Sequence, residues 1–137
     1  MTQSKNDGPS DAVVRFVVLF HEQAGNDHYD LMIESGGSLA TWRLPEPPER
    51  AREAGAACYR IGDHRRAYLD YEGPVSRGRG RVSRHDAGVC RVHQCGESRW
   101  MVTFDGARLA GRATLEEADH PGAEWRFRFR PARRPSG

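Results

Sequence analysis

The stretch from His28 to Leu44 constrains this chain more than any other. It reads His-Tyr-Asp-Leu-Met-Ile-Glu, then Ser-Gly-Gly-Ser, then Leu-Ala-Thr-Trp-Arg-Leu. Successive side chains of a strand point to opposite faces. Tyr29, Leu31 and Ile33 therefore share one face, and His28, Asp30, Met32 and Glu34 share the other. Gly-Gly suits a two-residue hairpin turn, because both central residues take positive φ. With Gly36 and Gly37 as the turn, Ser35 pairs with Ser38, Glu34 faces Leu39, Met32 faces Thr41 and Asp30 faces Arg43. Trp42 and Leu44 then join the apolar face, and the opposite face carries His28, Asp30, Thr41 and Arg43. A slip of one residue would mix the two sets, which favours this register.

An imidazole and a carboxylate at i, i+2 on one strand face are a common way to present two metal ligands. His21 lies just upstream, at the end of the apolar run Val13–Phe20, near enough to fold back as a third. Two imidazoles and one carboxylate suit manganese, zinc or iron. Spacing alone leaves a plainer reading open, a surface histidine beside an ordinary Asp30–Arg43 salt bridge.

The rest of the chain reads as strand and turn. Val13–Phe20 is a β-branched and aromatic run, hence a buried strand. Pro45–Pro48 ends the hairpin, since proline cannot donate to a ladder. Glu49–Ala57 forms a helical turn or two, or a loop. Short strands are expected at Cys58–Ile61, Gly78–Ser83, Val89–Gln94, Ser98–Phe104, Arg108–Leu115 and Trp125–Arg130, with Asp105-Gly106 as a hairpin turn. In the last strand Trp125, Phe127 and Phe129 alternate with Arg126, Arg128 and Arg130, core against charge. Several short strands at roughly 8–12-residue spacing favour a sandwich or barrel. The fold class expected is mainly β, a small closed or partly open barrel with short flanking helical turns. The 137 residues make one domain: residues 1–12 as a disordered tail, 13–130 as the barrel and 131–137 as a C-terminal tail.

Charged residues make up 29% of the chain, yet the net charge is only +2, so the protein is no uniformly basic coat for nucleic acid. Local patches would have to attract a polyanion. Arg65, Arg66, Arg77, Arg79 and Arg81 are the candidates for a nucleic-acid track. The alternation in Arg77-Gly78-Arg79-Gly80-Arg81 would aim three of them one way if extended; a solvated face is the plainer alternative. Three cysteines give no disulfide framework and suit a reducing compartment. With no membrane-length apolar run and no signal-like N-terminus, the expected location is cytoplasmic. His85, Cys90, His93 and Cys95 can be drawn as a zinc site, but Cys-x4-Cys falls outside the usual pairing and the positions lie on mixed strand faces. They are expected to be structural, and His120 is a loop residue with no assigned role.

The chain resembles the 3′-phosphoesterase domain of bacterial ATP-dependent DNA ligase D from about Val14 to Phe129. The residues carrying the likeness are His21 after an apolar strand, His28-Tyr29-Asp30 with Glu34, Thr41-Trp42, Asp63-His64 with Tyr68, Tyr71-Glu72-Gly73, Leu109–Arg112 and Trp125. The resemblance implies a small β-barrel and removal of 3′-phosphates or 3′-terminal ribonucleotides from DNA ends in repair. It implies a divalent metal, typically manganese with zinc as the alternative, held by His21, His28 and Asp30. His64 and Tyr68 would touch the scissile phosphate. Expected partners are DNA or RNA-tailed 3′ ends and a DNA ligase or other end-joining protein, with the chain a monomer and no membrane involved. The chain departs from the family at Met32, where an arginine grips phosphate, at Glu46 for a lysine and at Gly62 for a glutamate. The His21–His28 loop is one residue longer, and the family's N-terminal arm has no match in residues 1–11.

Placed opposite Asp30, Arg43 is the candidate replacement for the missing arginine, because guanidinium binds phosphate in a fork. His64 and Tyr68, four apart, fall on one side of a helical turn or in a compact loop. A histidine there can donate to phosphate or act as general acid. Two other functions stay open. One is a non-catalytic DNA-end-binding module of the same fold. The other is a non-haem iron oxygenase, needing His85 or His93 as a distal ligand and an arginine for its oxo-acid cosubstrate.

Overall fold

The computed structural model describes residues 12–119 and 124–133. Most of the expected N-terminal tail, the end of the C-terminal tail, His120 and Arg134 lie outside the described residues. Nine strands follow in chain order: β1 (Ala12–Glu22), β2 (His28–Ser35), β3 (Ser38–Leu44), β4 (Ala56–Arg65), β5 (Gly73–Pro74), β6 (Arg81–Cys95), β7 (Arg99–Gly106), β8 (Ala110–Glu117) and β9 (Glu124–Pro131). Eight of them close a ring in the order β1-β2-β3-β4-β9-β8-β7-β6, sealed by β1 against β6, and the two-residue β5 is appended to β6. The helical content is two 3₁₀ turns, Pro48–Arg50 and Arg66–Leu69. This is the small closed β-barrel expected, and no described helix is long and apolar enough to cross a membrane.

The central hairpin has the register expected of it, Ser35 opposite Ser38 through Asp30 opposite Arg43. Leu31, Ile33, Trp42 and Leu44 point into the barrel, where they meet Phe16, Val18, Trp100, Phe104, Leu115, Trp125, Phe127 and Phe129. Each such side chain contributes about 1.5–3 kcal/mol when fully buried. Arg60 stands over Trp42, Trp100 and Trp125 at 4.6, 5.8 and 5.6 Å from their ring centres, a cation plugging one end of the aromatic core.

The outer face of the hairpin is less polar than expected. Met32 and Leu39 join Val17, Leu19, Leu69 and Val82 in a second apolar cluster outside the barrel wall. The Arg66–Leu69 turn covers it with Leu69 and is pinned by ion pairs. Arg66 Nη2 lies 2.5 Å from Glu34 Oε2, and Arg15 Nη2 lies 2.8 Å from Asp70 Oδ1. The Arg15 backbone N–H also donates to Glu34 Oε1 at 2.8 Å. Proximity to Arg15 holds the exposed Asp70 carboxyl below its ordinary pKa.

Three segments differ from expectation, each for a local reason. The strands expected at Gly78–Ser83 and Val89–Gln94 are parts of one strand, β6, which starts only at Arg81. A bulge at His85 interrupts its alternation, because pairing with β1 steps from Val18–Asp86 to Leu19–Arg84. Strand β4 continues past Ile61 through Gly62-Asp63-His64, where β3 supplies the ladder and the polar side chains face outward. Asp105 and Gly106 still belong to β7, with Asp105 opposite Ala110, so the bend falls at Ala107-Arg108. The buried Asp86 carboxylate builds that bend by accepting the N–H groups of Ala107, Arg108 and Leu109 at 3.1, 3.0 and 2.7 Å.

Candidate metal centre

The barrel wall formed by β1 and β2 sets His21 directly opposite His28. Directly opposed residues of a ladder put their side chains on the same face. Asp30 follows two residues along β2 on that same outer face, and Arg43 of β3 lies across from it. All three of His21, His28 and Asp30 are buried. A polar turn, held by Asn26 N–H to the Gln23 carbonyl and Gln23 N–H to Asp27 Oδ1, returns the chain between the histidines.

Each imidazole has one nitrogen committed to a backbone carbonyl. His21 Nε2 lies 2.6 Å from the Arg79 oxygen, and His28 Nδ1 lies 2.9 Å from the Asn26 oxygen. A carbonyl can only accept, so those nitrogens carry the protons and the other two present lone pairs. The free nitrogens, His21 Nδ1 and His28 Nε2, are 3.0 Å apart. Asp30 Oδ2 lies 3.9 Å from the first and 3.8 Å from the second. Burial, opposed by Asp30, holds the His28 imidazole below its ordinary pKa, which favours the neutral, ligating form.

Three acceptors thus converge, with Arg43 as the donor at the edge of Asp30, an arrangement that suits a cation. The triangle they define has its centre about 2.1 Å from each corner, the length of a bond from a first-row divalent cation to imidazole or carboxylate. The carbonyls of Arg79 and Asn26 supply the outer hydrogen bonds that fix tautomer and ring orientation in metal sites. The residues present therefore fit a divalent metal. Among the described residues, no other three His, Cys, Asp or Glu side chains gather in this way.

Arg43 grips Asp30 with Nε 3.1 Å from Oδ1 and Nη2 3.5 Å from Oδ2. It is thus paired with the carboxylate and also lines the cavity of about 230 Å³ that opens beside the centre. His64 and Tyr68 line the same cavity, with rings edge-on at 5.5 Å. They meet through a strand end followed by a 3₁₀ turn rather than along a helix. His64 Nδ1–H donates to the Gly62 carbonyl at 3.0 Å, which leaves Nε2 as the ring nitrogen not used in that bond. Met32, in the position of the family's arginine, also reaches the cavity but is only 1% exposed and packs in the outer apolar cluster.

The arginines divide. Arg66 is spent on Glu34. The segment 77–80 is bent rather than extended, with positive φ at Arg77, Gly78 and Gly80, so its arginines do not project in one direction. Arg79 folds back onto Ser76, its Nε donating to the carbonyl at 3.0 Å and its Nη2 to Oγ at 3.1 Å. Arg65, Arg77 and Arg81 remain exposed. The drawn zinc set does not assemble: Cys90 is buried in the core, His85 Nε2 lies 2.7 Å from Glu49 Oε2, and His93 Nε2 lies 2.7 Å from Thr103 Oγ1. Neither His85 nor His93 joins the His21 grouping as an oxygenase's distal ligand would. Burial pushes the Cys58 and Cys90 thiols up to about 12.

Sequence reasoning missed the Arg79 and Asn26 carbonyls, because a hydrogen bond to the backbone leaves no residue-type signature. The available hint for the first was the pair of glycines around Arg79. At Gly80, with φ +80°, an added Cβ would overlap the Glu22 carbonyl oxygen. Glycine is what lets this loop lie against the end of β1.

Fold and centre together define a barrel with a two-histidine, one-carboxylate cluster on its outer wall that could hold a cation, open to a cavity lined by arginine, histidine and tyrosine. A comparison with known protein families matches residues 20–117 to the DNA ligase D 3′-phosphoesterase domain, and the chain belongs to that family. A search of curated proteins finds no match.

Proposed function

We propose that this barrel is a divalent-metal-dependent phosphoesterase that removes a 3′-phosphate or a 3′-terminal ribonucleotide from DNA ends during repair. The observation that carries the reading is the convergence of two imidazole lone pairs and a carboxylate oxygen beside a cavity lined by Arg43, His64 and Tyr68. Family membership supports the reaction class, and manganese is the metal that the resemblance to this family implies. A divalent cation held by His21, His28 and Asp30 would supply charge for a phosphate oxygen and a lowered pKa for a bound water.

The chain's own groups do the rest. Arg43 keeps one edge of its guanidinium on Asp30 and offers the remainder to a phosphate oxygen, so it both orients the carboxylate and neutralises the substrate. His64, held at Nδ1, delivers a proton from Nε2 to the departing oxygen when protonated. The Tyr68 hydroxyl donates to the same phosphate. Exposed Arg65, Arg77 and Arg81 border the approach for the DNA backbone, so affinity falls steeply with added salt. The protein works as a cytoplasmic monomer alongside a DNA ligase or other end-joining protein.

One observation favours a second reading. Met32 offers no cation where the family places one, which suits a module that grips DNA ends without cutting. Incubation of a 3′-phosphorylated primer-template with manganese separates the two. Phosphate release that is abolished by His64→Ala supports the esterase; tight end binding with no release at manganese, zinc or magnesium leaves the module.

A further inference from the structure

A second cavity, of about 240 Å³, adjoins the metal centre and plays no part in the mechanism above. Tyr68 and Val75 line both cavities, so the two are contiguous along one wall. Its other surfaces are Tyr71 and Pro74, with Arg65 and Ser76 at the polar rim. We propose that this cavity is a base pocket, which takes the nucleobase of the nucleotide whose phosphate lies at the metal centre, and that Tyr71 is the stacking platform.

Tyr71 is held in place from more than one side. Its hydroxyl donates to the Pro74 carbonyl, which fixes the ring within its own turn. Gly73 lies against it: a Cβ there would come within 3.0 Å of the hydroxyl and 3.3 Å of Cζ, and the backbone stands at φ +142°. The Tyr-Glu-Gly sequence thereby acquires a local reason. Glycine admits the tyrosine ring, and Glu72 turns away to accept the Arg84 backbone N–H at 2.6 Å. The Tyr68 ring meets Tyr71 edge-on, 5.7 Å away at 86°. One ring wall is thus braced from two sides while Tyr71 remains 36% exposed. A rigid, solvent-facing aromatic ring is a poor use of apolar surface in a free protein and a good one for stacking a base.

Size and continuity choose the occupant. The cavity is smaller than the roughly 300–1,000 Å³ of drug-sized ligand sites, and suits a single heterocycle. An apolar peptide side chain or an acyl chain would fill it as well by volume. Only a nucleotide also carries a phosphate across the shared Tyr68–Val75 wall. Arg65, exposed at the rim, makes no side-chain hydrogen bond or ion pair among the described residues, and so is available to the next phosphate.

The proposal rests on the phosphoesterase reading, and the test separates the two. Oligonucleotides ending in a 3′-phosphate are compared with the terminal nucleotide intact or abasic, using the full chain with manganese. The expected kcat/KM is about tenfold lower for the abasic end, in line with one base–aromatic stack. Tyr71→Ala should lower the intact substrate to the abasic level and leave the abasic one unchanged, while Tyr71→Phe keeps the preference. A parallel reading needs no catalysis: in EDTA, 2-aminopurine at the terminal position should lose fluorescence on binding, and three nucleotides inward it should not. Phosphate release that ignores the base, with no terminal quenching, overturns the pocket and leaves the esterase standing. Terminal quenching without release at any metal supports the pocket and removes the esterase. Failure to bind any 3′ end overturns both.

Discussion

Two places in this molecule bring histidine and carboxylate together, and they are built on opposite logics. At the candidate metal centre, each imidazole donates its N–H to a backbone carbonyl, and the lone pairs of His21 and His28 turn toward Asp30. Under the Pro48–Arg50 turn, His85 points a nitrogen at Glu49 across 2.7 Å, one donor meeting one acceptor. Tyr29 packs edge-on against that imidazole at 5.1 Å and completes a closed contact. The difference shows what marks out a candidate cation site. Both bring imidazole to carboxylate; what differs is whether the imidazole N–H groups are engaged by backbone carbonyls, leaving ring lone pairs turned toward the carboxylate.

The largest effect should follow from removing an acceptor. Asp30→Asn keeps shape but replaces a charged oxygen at the triangle's corner, and turns one side of it into a donor. Loss of an outer-sphere partner already costs 10–100-fold in metal affinity, so manganese affinity should fall by about a hundredfold or more. Titration of free manganese by its paramagnetic resonance signal measures it. Affinity within twofold of the unsubstituted protein would mean that the cation, if any, lies elsewhere.

A smaller effect should follow from disturbing the group that draws off a proton. Gly80→Ala forces the loop away from the Glu22 carbonyl and so moves the Arg79 oxygen from His21. Manganese affinity should drop by about tenfold even though no ligand is touched. Gly78→Ala is the control, since Gly78 also has positive φ, at +65°, but open space around its Cβ position. Equal losses from the two substitutions would reduce the Arg79 contact to incidental geometry.

How much of this was readable in the chain follows from where the information is stored. The hairpin register from Ser35 to Asp30 was legible because a two-residue turn and a period-two pattern leave one solution. That His28 and Asp30 share a face was legible for the same reason, whereas His21 joined them only through its nearness in sequence and the family resemblance. The outer apolar cluster was not. Met32 and Leu39 carry it with Leu69, which arrives from a turn at least thirty residues away and has no periodicity to announce it. Strand β6 was split in two because the bulge at His85 breaks the alternation that marks a strand. The bend at Ala107-Arg108 was displaced by two residues because it is set by the Asp86 carboxylate, a contact between distant positions. Tyr71 stood out only as part of the Tyr-Glu-Gly segment, and its bracing by Gly73 and Pro74 was not legible.

The smallest effect on metal should come from the closed pair, and it is the sharpest check of the contrast. His85→Ala removes the donor that Glu49 Oε2 uses, while Glu49 Oε1 is already buried without a hydrogen-bond partner. The side chains are only 14% and 22% exposed, so little water can stand in for the lost contact. Leaving a buried acceptor unsatisfied costs about 1–3 kcal/mol, readable as a lower midpoint in urea. Manganese affinity should nonetheless stay within twofold, because this pair shares no ligand with the centre and its donor and acceptor satisfy each other. If the substitution weakened manganese binding as much as Gly80→Ala does, the two histidine–carboxylate groupings would be one coupled network. The distinction between converging acceptors and a closed pair would then lose its meaning for this barrel.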